Sequence, residues 1–340
     1  MAETTVIIPN WNTRRWLDGC LGGLREQRYK AFRTILVDNG SSDGSVAFVR
    51  EHYPEVEIIA FPRNRGFAAA VNAGIAAAEG PYVALLNVDT RPRPEWLWHL
   101  VRAIERDDGV ACIASRMLNL EDPRRIDAAG DTLSWYGSAR KRGQGDDAAG
   151  FAEPMEVFSA CAGAALYRRS LFEEIGGFDA WFISYLEDID VGLRARLRGY
   201  RCLYEPRAEV LHHGHGAGIA RSRYVYLMMR NRLALLTKNI PLSLLWRHRR
   251  TLLYGQLYFF LVYKRPLAAL AGIVAWAISL PYLLRQRRAI LAARVVDDAA
   301  LDAMLIDELG EPPLRSILKA KLRSLVPRSG SPTRSEKEER

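Results

Sequence analysis

Residues Val83–Thr90 read VALLNVDT, five aliphatic side chains in eight positions, with Asn87 and Asp89 breaking the apolar run. A short aliphatic run of this kind is expected to be a strand buried on both faces, as in a parallel sheet. It ends by presenting Asn87 and Asp89, two positions apart and so pointing the same way. The chain before it repeats the pattern. Thr5–Pro9, Thr34–Val37, Val56–Ala60 and Tyr82–Leu86 are β-rich, and Arg14–Arg25, Gly44–Glu51 and Phe67–Glu79 between them are helix-like. Strands alternating with helices imply an α/β fold, Rossmann-like, with a mostly parallel sheet and flanking helices. Ligands of such sheets gather at the carboxyl ends of the strands. Pro9-Asn10, Asp38-Asn39, Arg63-Asn64 and Asn87-Val88-Asp89 all fall there.

The 340 residues suffice for one large domain, or one domain with an appendage. Cys20, Cys112, Cys161 and Cys202 are scattered without a CxxC pair, which argues against a disulfide framework or zinc knuckle and fits a reducing compartment. The N-terminus MAETTVIIPN has no basic leader and no long apolar run, so no signal peptide is expected. The net charge of +9 is unevenly distributed. Residues 210–296 hold fourteen Lys and Arg and no acid, leaving 34 basic against 39 acidic residues elsewhere. One-signed charge beside long apolar runs points to an anionic membrane surface, and no nucleic-acid partner is expected.

Further along, Glu121–Glu153 is polar and Gly- and Asp-rich and is expected to form loops or an excursion over the site. Glu156–Tyr167 reads as a strand, and Gly176–Tyr200 as an aromatic loop running into a helix. Ser184 and Glu187 have the spacing of a capping box, and Asp190 and Arg194 that of a helical ion pair. Asp188 has no such structural explanation. It lies about 100° round the helix from Glu187.

VDNGSSDGS, Val37–Ser45, follows a strand and precedes a helix, so Asp38 can accept hydrogen bonds from a base or ribose while small residues admit a ligand to the backbone. The same residue types also build an ordinary Asx turn with a helix cap. In NRGFAAAVNAGIAAAEG, Asn64–Gly80, the Ala and Gly residues permit close helix–sheet packing, and Arg63 or Arg65 can meet a phosphate. Asp89 offers a hard oxygen ligand, and Mg²⁺ or Mn²⁺ commonly completes its shell with substrate phosphates. No GxGxxG follows the first strand, which disfavours an NAD-dependent oxidoreductase.

Taken in order, VIIPNWN, VDNGSSDGS, NRGFAAAVNAG, LLNVDT, GGFD and LEDID resemble the family-2 glycosyltransferases with the GT-A fold, over roughly Thr4–Gly216. IDAAG, WYG and the Gly- and Arg-rich stretch beyond are similar to rhamnosyltransferase-like members. The resemblance implies a metal-dependent, inverting enzyme that moves a sugar, L-rhamnose from its dTDP-linked form or a sugar from a UDP-linked one, onto a glycan or lipid-linked acceptor in cell-envelope polysaccharide synthesis. It places Pro9, Asn10, Asn12, Asp38, Ser41, Asp43, Arg63, Asn64, Gly66, Asn87 and Val88 at the nucleotide sugar. It makes Asp89 the metal ligand, because Asn87 stands at the first position of the D-x-D motif, and Asp188 the general base with Glu187 as its neighbour. Among His212, His213 and His215 in EVLHHGHGAG, it favours His212 at the metal or diphosphate.

These readings divide the chain into a GT-A unit over 1–219, with a nucleotide half to about 115 and an acceptor half from 116. A basic, apolar helical region over 220–326 and a disordered tail over 327–340 follow. Thr251–Arg288 carries the apolar runs, and Leu267–Leu284 falls just short of the roughly 20 residues a spanning helix needs. Helices lying on the cytoplasmic membrane face are expected, with a transmembrane hairpin or an interface of a homo-oligomer as rivals. A non-catalytic, membrane-bound nucleotide-sugar-binding protein is the competing function.

Overall fold

In a computed structural model, residues 3–214, 219–312, 314 and 316 are described. His215 and the expected tail over 327–340 lie outside them. The first half runs β1 (Thr4–Asn10), α1 (Arg14–Arg25), β2 (Phe32–Asp38), α2 (Ser45–His52), β3 (Glu57–Ala60), α3 (Phe67–Ala77), β4 (Tyr82–Leu86), β5 (Thr90–Pro92) and α4 (Trp96–Ile104). It continues through β6 (Val110–Asn119), β7 (Ile126–Ala128), β8 (Asp131–Leu133) and β9 (Ala139–Lys141). Next come β10 (Met155–Val157), β11 (Ala164–Arg168), α5 (Arg169–Ile175), α6 (Glu187–Leu197) and β12 (Arg201–His212). Six helices close the described chain: α7 (Arg221–Asn239), α8 (Leu242–Arg247), α9 (Arg249–Val262), α10 (Pro266–Ile278), α11 (Leu280–Ala292) and α12 (Asp298–Met304).

The main sheet is ordered β10-β12-β6-β11-β4-β1-β2-β3, with β1, β2, β3 and β4 parallel and β11 inserted antiparallel between β4 and β6. Its strands sort their side chains by alternation. Val6 and Ile8 of β1 pack with Leu17 and Leu21 of α1 and Leu100 of α4 on one face. Ile7 packs with Val71 of α3 and Val191 of α6 on the other. The expected close approach of the small-residue helix is real: a Cβ on Gly74 would lie 2.4 Å from the Ile7 side chain. From β1 the order runs outward through β2 and β3, then returns to β1's other edge at β4. That reversal opens a crevice at the strand ends, the general location of ligands in such sheets.

Two expectations need correction. The single strand over Glu156–Tyr167 is two strands, because β10 pairs with β12 at the sheet edge while β11 pairs with β4 and β6 inside it. Residues 158–163 must therefore cross from the edge to the interior. No capping box forms at Ser184 and Glu187: α6 begins after Leu186, which is left-handed (φ 68°) and gives no side-chain cap. The polar stretch 121–153 is an excursion with structure of its own, β7 pairing with β6 and β8 with β9.

The C-terminal helices share a core with the acceptor half. Leu133, Trp135, Phe182, Ile189 and Leu193 are buried together with Leu235, Leu236, Leu283 and Leu301. Among the described residues no single helix is long and apolar enough to cross a membrane; α10 and α11 meet the criterion only as a pair bent by 61°.

Candidate functional site

A cleft of about 1030 Å³ opens at the strand reversal. Pro9 and Asn10 of β1, Asn39 after β2, Asn64 to Phe67 before α3, and Asn87, Val88 and Asp89 after β4 line it from the nucleotide half. Ile183, Ser184, Tyr185, His212, Gly214 and the start of the α7 segment, including Arg223 and Leu227, line it from the other side.

Of the residues expected at the nucleotide, Pro9, Asn10, Asn64, Gly66, Asn87 and Val88 stand on the wall. Asp38, Asn12, Ser41 and Asp43 stand behind it and knit the loops together. Asp38 is buried and accepts hydrogen bonds from Asn10 Nδ2 (2.7 Å) and the Ser41 N–H (3.0 Å). Ser41 Oγ accepts from the Asn12 N–H, Asn12 Oδ1 from the Ser42 N–H, and Asp43 from the Arg14 and Ser45 N–H groups. The local bonds of Asp38 and Asp43 fit the Asx-turn reading, whereas the expected helix cap differs, because Gly44 stands at the N-cap of α2 and offers no side chain. Arg63 does not line the cleft; from this loop its neighbour Arg65 does.

Asn39, expected at a strand end but given no role there, fixes the second loop. Its Nδ2 donates to Asn64 Oδ1 (3.1 Å) and the Gly66 carbonyl (3.0 Å), and its Oδ1 accepts from the Arg65 N–H (2.8 Å). Gly66 must be glycine here, because φ is +91° and a Cβ would sit 2.9 Å from the Ile183 carbonyl oxygen.

His212, at the end of β12, is buried between two carboxylates. Its Nδ1 lies 2.7 Å from Asp127 Oδ2 and its Nε2 3.4 Å from Asp89 Oδ1. Lys141 Nζ is 2.7 Å from the same Asp127 oxygen. Burial acts to raise the Asp127 pKa, but the His212 hydrogen bond and Lys141 outweigh it and bring it to about 2. Burial likewise works against a charged His212, and the hydrogen bonds to Asp127 and Asp89 outweigh it, so its pKa is raised. His213 instead packs its ring on Trp16, centroids 4.2 Å apart.

No group of three or more metal-binding side chains occurs among the described residues. The pair formed by Asp89 and His212 still suits a divalent cation that takes its other ligands from substrate phosphates and water. A carboxylate behind a metal-binding histidine fixes its tautomer and orientation. Asp127 occupies that position, directing Nε2 toward Asp89 and the cleft.

Asp188 and Glu187 do not line the cleft directly. They sit at the start of α6, behind the 161–163 turn. The Ala162 N–H lies 3.4 Å from Asp188 Oδ2, and the neighbouring Gly163 carbonyl accepts the Asn87 N–H at 2.8 Å. One short turn therefore separates Asp188 from the residues after β4. Glu187 is fully sequestered, and its Oε2 has no hydrogen-bond partner. Burial, then the charge of Asp188, raise its pKa well above the ordinary carboxylate range. Asp188 is only half-buried. Burial raises its pKa as well, against the N–H groups of Ile189 and Ala162 that favour the charged form.

Residues 5–176 match the family model described as glycosyl transferase family 2, just over half of the chain. A pre-mycofactocin glycosyltransferase of Mycobacterium tuberculosis (strain CDC 1551 / Oshkosh) is 33% identical over 213 residues, covering 62% of this chain and 42% of that protein. This chain thus spans well under half the length of that relative. An N-acetylglucosaminyl-diphospho-decaprenol L-rhamnosyltransferase of the same species is 29% identical over 268 residues, 66% of this chain and 84% of that one. Among solved structures, the mannosyltransferase PcManGT from Pyrobaculum calidifontis, in complex with GDP-Man and Mn²⁺, superposes with a TM-score of 0.52 at 18% identity, covering 89% of this chain and 83% of that one. S. aureus TarS 1-349 gives a TM-score of 0.53 at 14% identity, with 91% and 98% covered. The expected GT-A architecture, a mostly parallel sheet with flanking helices, is the one these folds share, and the expected C-terminal helices are present in this chain. This chain belongs to glycosyl transferase family 2.

Proposed function

We propose that this protein transfers a sugar from a nucleotide-sugar donor to a glycan or lipid-linked acceptor, with inversion at the anomeric carbon and with Mg²⁺ or Mn²⁺ as cofactor. The observation that carries this reading is the convergence of Asn10, Asn64, Asn87, Asp89 and His212 on one cleft at the strand reversal. The sharing of a family with an L-rhamnosyltransferase that acts on a diphospho-decaprenol carrier supports a dTDP-linked rhamnose donor and a lipid-linked acceptor. UDP and GDP donors, seen with Mn²⁺ in fold neighbours, are the alternatives to test.

The donor's base and ribose lie against Pro9, Asn10 and Asn64, with Asp38 holding Asn10 from behind and Asn39 bracing Asn64 on the wall, and Arg65 and Arg223 offer positive charge to the diphosphate. Asp89 and His212 would hold the metal, which when bound neutralises charge developing on the departing diphosphate. Asp188 takes the proton from the acceptor hydroxyl as that oxygen bonds to the anomeric carbon and the bond to the diphosphate oxygen breaks. One catalytic carboxylate suffices because the displacement is direct, without a covalent sugar–enzyme intermediate.

Thermal shift with dTDP, UDP and GDP, each with and without Mg²⁺ or Mn²⁺, tests the reading. At least one nucleotide is expected to stabilise the protein, more strongly with metal. Failure of all three under both metals would remove it. The histidine relay predicts a second result. Asp127→Asn should weaken Mn²⁺ binding by about 10–100-fold, read as free Mn²⁺ by electron paramagnetic resonance. Unchanged affinity would mean that Asp127 does not support a metal ligand.

The C-terminal helices form the membrane-facing part of this proposal. Leu253, Leu257 and Leu261 of α9 form an exposed stripe at four-residue spacing, and Leu267, Leu270, Val274 and Ile278 of α10 another. Leu267 and Leu253 are 82% and 71% exposed, which a water-facing helix does not require. Lys264 and Arg265 sit at the turn joining the two stripes. Apolar stripes edged by cations fit an anionic bilayer surface at the cytoplasmic face. Leu257→Glu with Leu270→Glu should reduce flotation with phosphatidylglycerol-containing vesicles roughly tenfold or more, since each buried leucine contributes about 1.5–3 kcal/mol. Unaltered flotation, or loss of a dimer without any vesicle binding, would replace the membrane by another occupant.

A further inference from the structure

The segment between the aromatic loop and α6 is held in an unfavourable conformation, and its restraint comes from the C-terminal region. Ile183 has φ 67° and ψ −65°, and the Ser184 N–H reaches back to the Phe182 carbonyl at 2.8 Å. That is a classic γ-turn, the rare and strained hand of the motif. Tyr185 (φ 72°) and Leu186 (φ 68°) follow, also left-handed. None of the three is glycine. Such a conformation is unfavourable for any residue with a side chain and persists only when its surroundings impose it.

The imposing groups are two consecutive residues of α7. Asn231 is fully buried, and its amide Nδ2 lies within hydrogen-bond distance of the carbonyls of Phe182 (3.0 Å), Ser184 (2.9 Å) and Tyr185 (2.8 Å), so its two N–H bonds serve three acceptors, one of them shared. Its Oδ1 accepts from Arg230 Nε at 2.9 Å, which fixes which end of the amide faces the turn. Arg230 Nη2 donates to the carbonyls of Trp181 (2.5 Å) and Phe182 (2.9 Å), and its guanidinium lies 4.1 Å from the centre of the Trp181 ring. The turn passes the restraint on in two directions. The Ile183 carbonyl accepts the first N–H groups of α3, Phe67 at 2.8 Å and Ala68 at 3.4 Å, beside Gly66 on the cleft wall. Leu186 leads directly into Glu187 and Asp188.

We propose that Arg230 and Asn231 are positioning residues: they hold the γ-turn at Ile183 so that Ser184 and Tyr185 face the cleft and α6 starts with Asp188 toward the 161–163 turn. The helical region that follows the sheet is in this sense part of the active-site scaffold. The inference rests on reading the cleft as the donor site, but its hydrogen-exchange test does not depend on that reading.

Hydrogen exchange followed by mass spectrometry is measured on the full chain for the wild type, Asn231→Ala and Arg230→Lys. Exchange in peptides spanning 182–188 and at the α3 start is expected to rise about tenfold or more in Asn231→Ala, and less in Arg230→Lys, while β1 and β2 peptides are unchanged. With a donor that the wild type consumes, nucleoside diphosphate release should lose about tenfold or more in kcat with KM within about threefold, because orientation is lost and donor contacts are kept. Wild-type exchange in both variants would overturn the proposal. So would a rise spread evenly over all peptides, or a lowered melting temperature with kcat intact. Should Asn231→Ala fail to fold, Arg230→Lys alone decides, since it keeps the charge and loses the two-carbonyl fork. A cleft that binds no nucleotide would defeat the proposed function while leaving the exchange result standing.

Discussion

Asp188→Asn is expected to lower sugar transfer by about 10²–10⁴-fold, the usual worth of a positioned general base, with nucleoside diphosphate affinity nearly unchanged. The substitution keeps size and shape. Asp188 Oδ1 accepts the Ile189 N–H at 2.9 Å, and an amide oxygen can do the same. What the amide cannot do is take a proton. Glu187→Gln is the paired control: Glu187 is buried, its pKa is raised by that burial, and it does not line the cleft, so a smaller loss is expected. The pH profile gives the sign. The base works ionised, and burial raises the Asp188 pKa, so the acidic limb should lie above the ordinary carboxylate range and vanish in Asp188→Asn. Near-normal transfer by Asp188→Asn, with an unmoved acidic limb, would transfer the role elsewhere. Asp131 would then be the first place to look. It is buried, takes a hydrogen bond from Ser159 Oγ at 3.2 Å, and has its pKa raised by burial and then by the charge of Asp188.

The nucleotide half was legible because its signals are local. Alternation of aliphatic runs and helices fixes a parallel sheet, and Asn10, Asn64, Asn87 and Asp89 come next to strand ends or helix starts by chain direction alone. The turn after β2 was legible in both its guises, but sequence could not tell whether Asp38 would face a ligand or support Asn10. That depends on a side-chain rotamer set by Ser41 across the loop. The relay from Asp127 to His212 joins positions 85 residues apart and has no local signature beyond the IDAAG resemblance. The same is true of Asn231, an amide in a helix whose neighbours read only as apolar and basic. Glu187 shows the opposite failure. A capping box is a legitimate local inference, and tertiary contacts overrode it by forcing three left-handed residues before the helix.

Lys238→Met should destabilise the folded protein by about 3–5 kcal/mol, the usual cost of removing one partner from a buried ion pair. Lys238 is almost completely buried, and its Nζ lies 2.7 Å from Asp179 Oδ2 and 2.9 Å from Asp190 Oδ2. Arg194 Nε and Asn239 Nδ2 complete the shell of Asp190 at 2.9 and 2.8 Å. Asp179 also accepts the Tyr282 hydroxyl at 2.9 Å, so one ammonium ties α7 to the aromatic loop, to α6 two residues beyond Asp188, and through Tyr282 to α11. Burial acts to raise the Asp190 pKa, and Lys238 followed by Arg194 outweigh it, leaving the pKa lowered. A lowered folded-state pKa contributes stability that is present above the unfolded value, near about 3.9 for Asp, and lost as pH falls through the folded one. Without Lys238 the two carboxylates lose the ammonium they share, and protonation relieves them. The gap between Lys238→Met and wild type, from urea unfolding at a series of pH values, should therefore narrow on going from pH 7 toward pH 4. A gap that stays constant over that range would show the cost to be lost packing rather than uncompensated charge. A gap below about 1 kcal/mol, the range of exposed pairs, would show that α7 is not electrostatically bound to α6 at all.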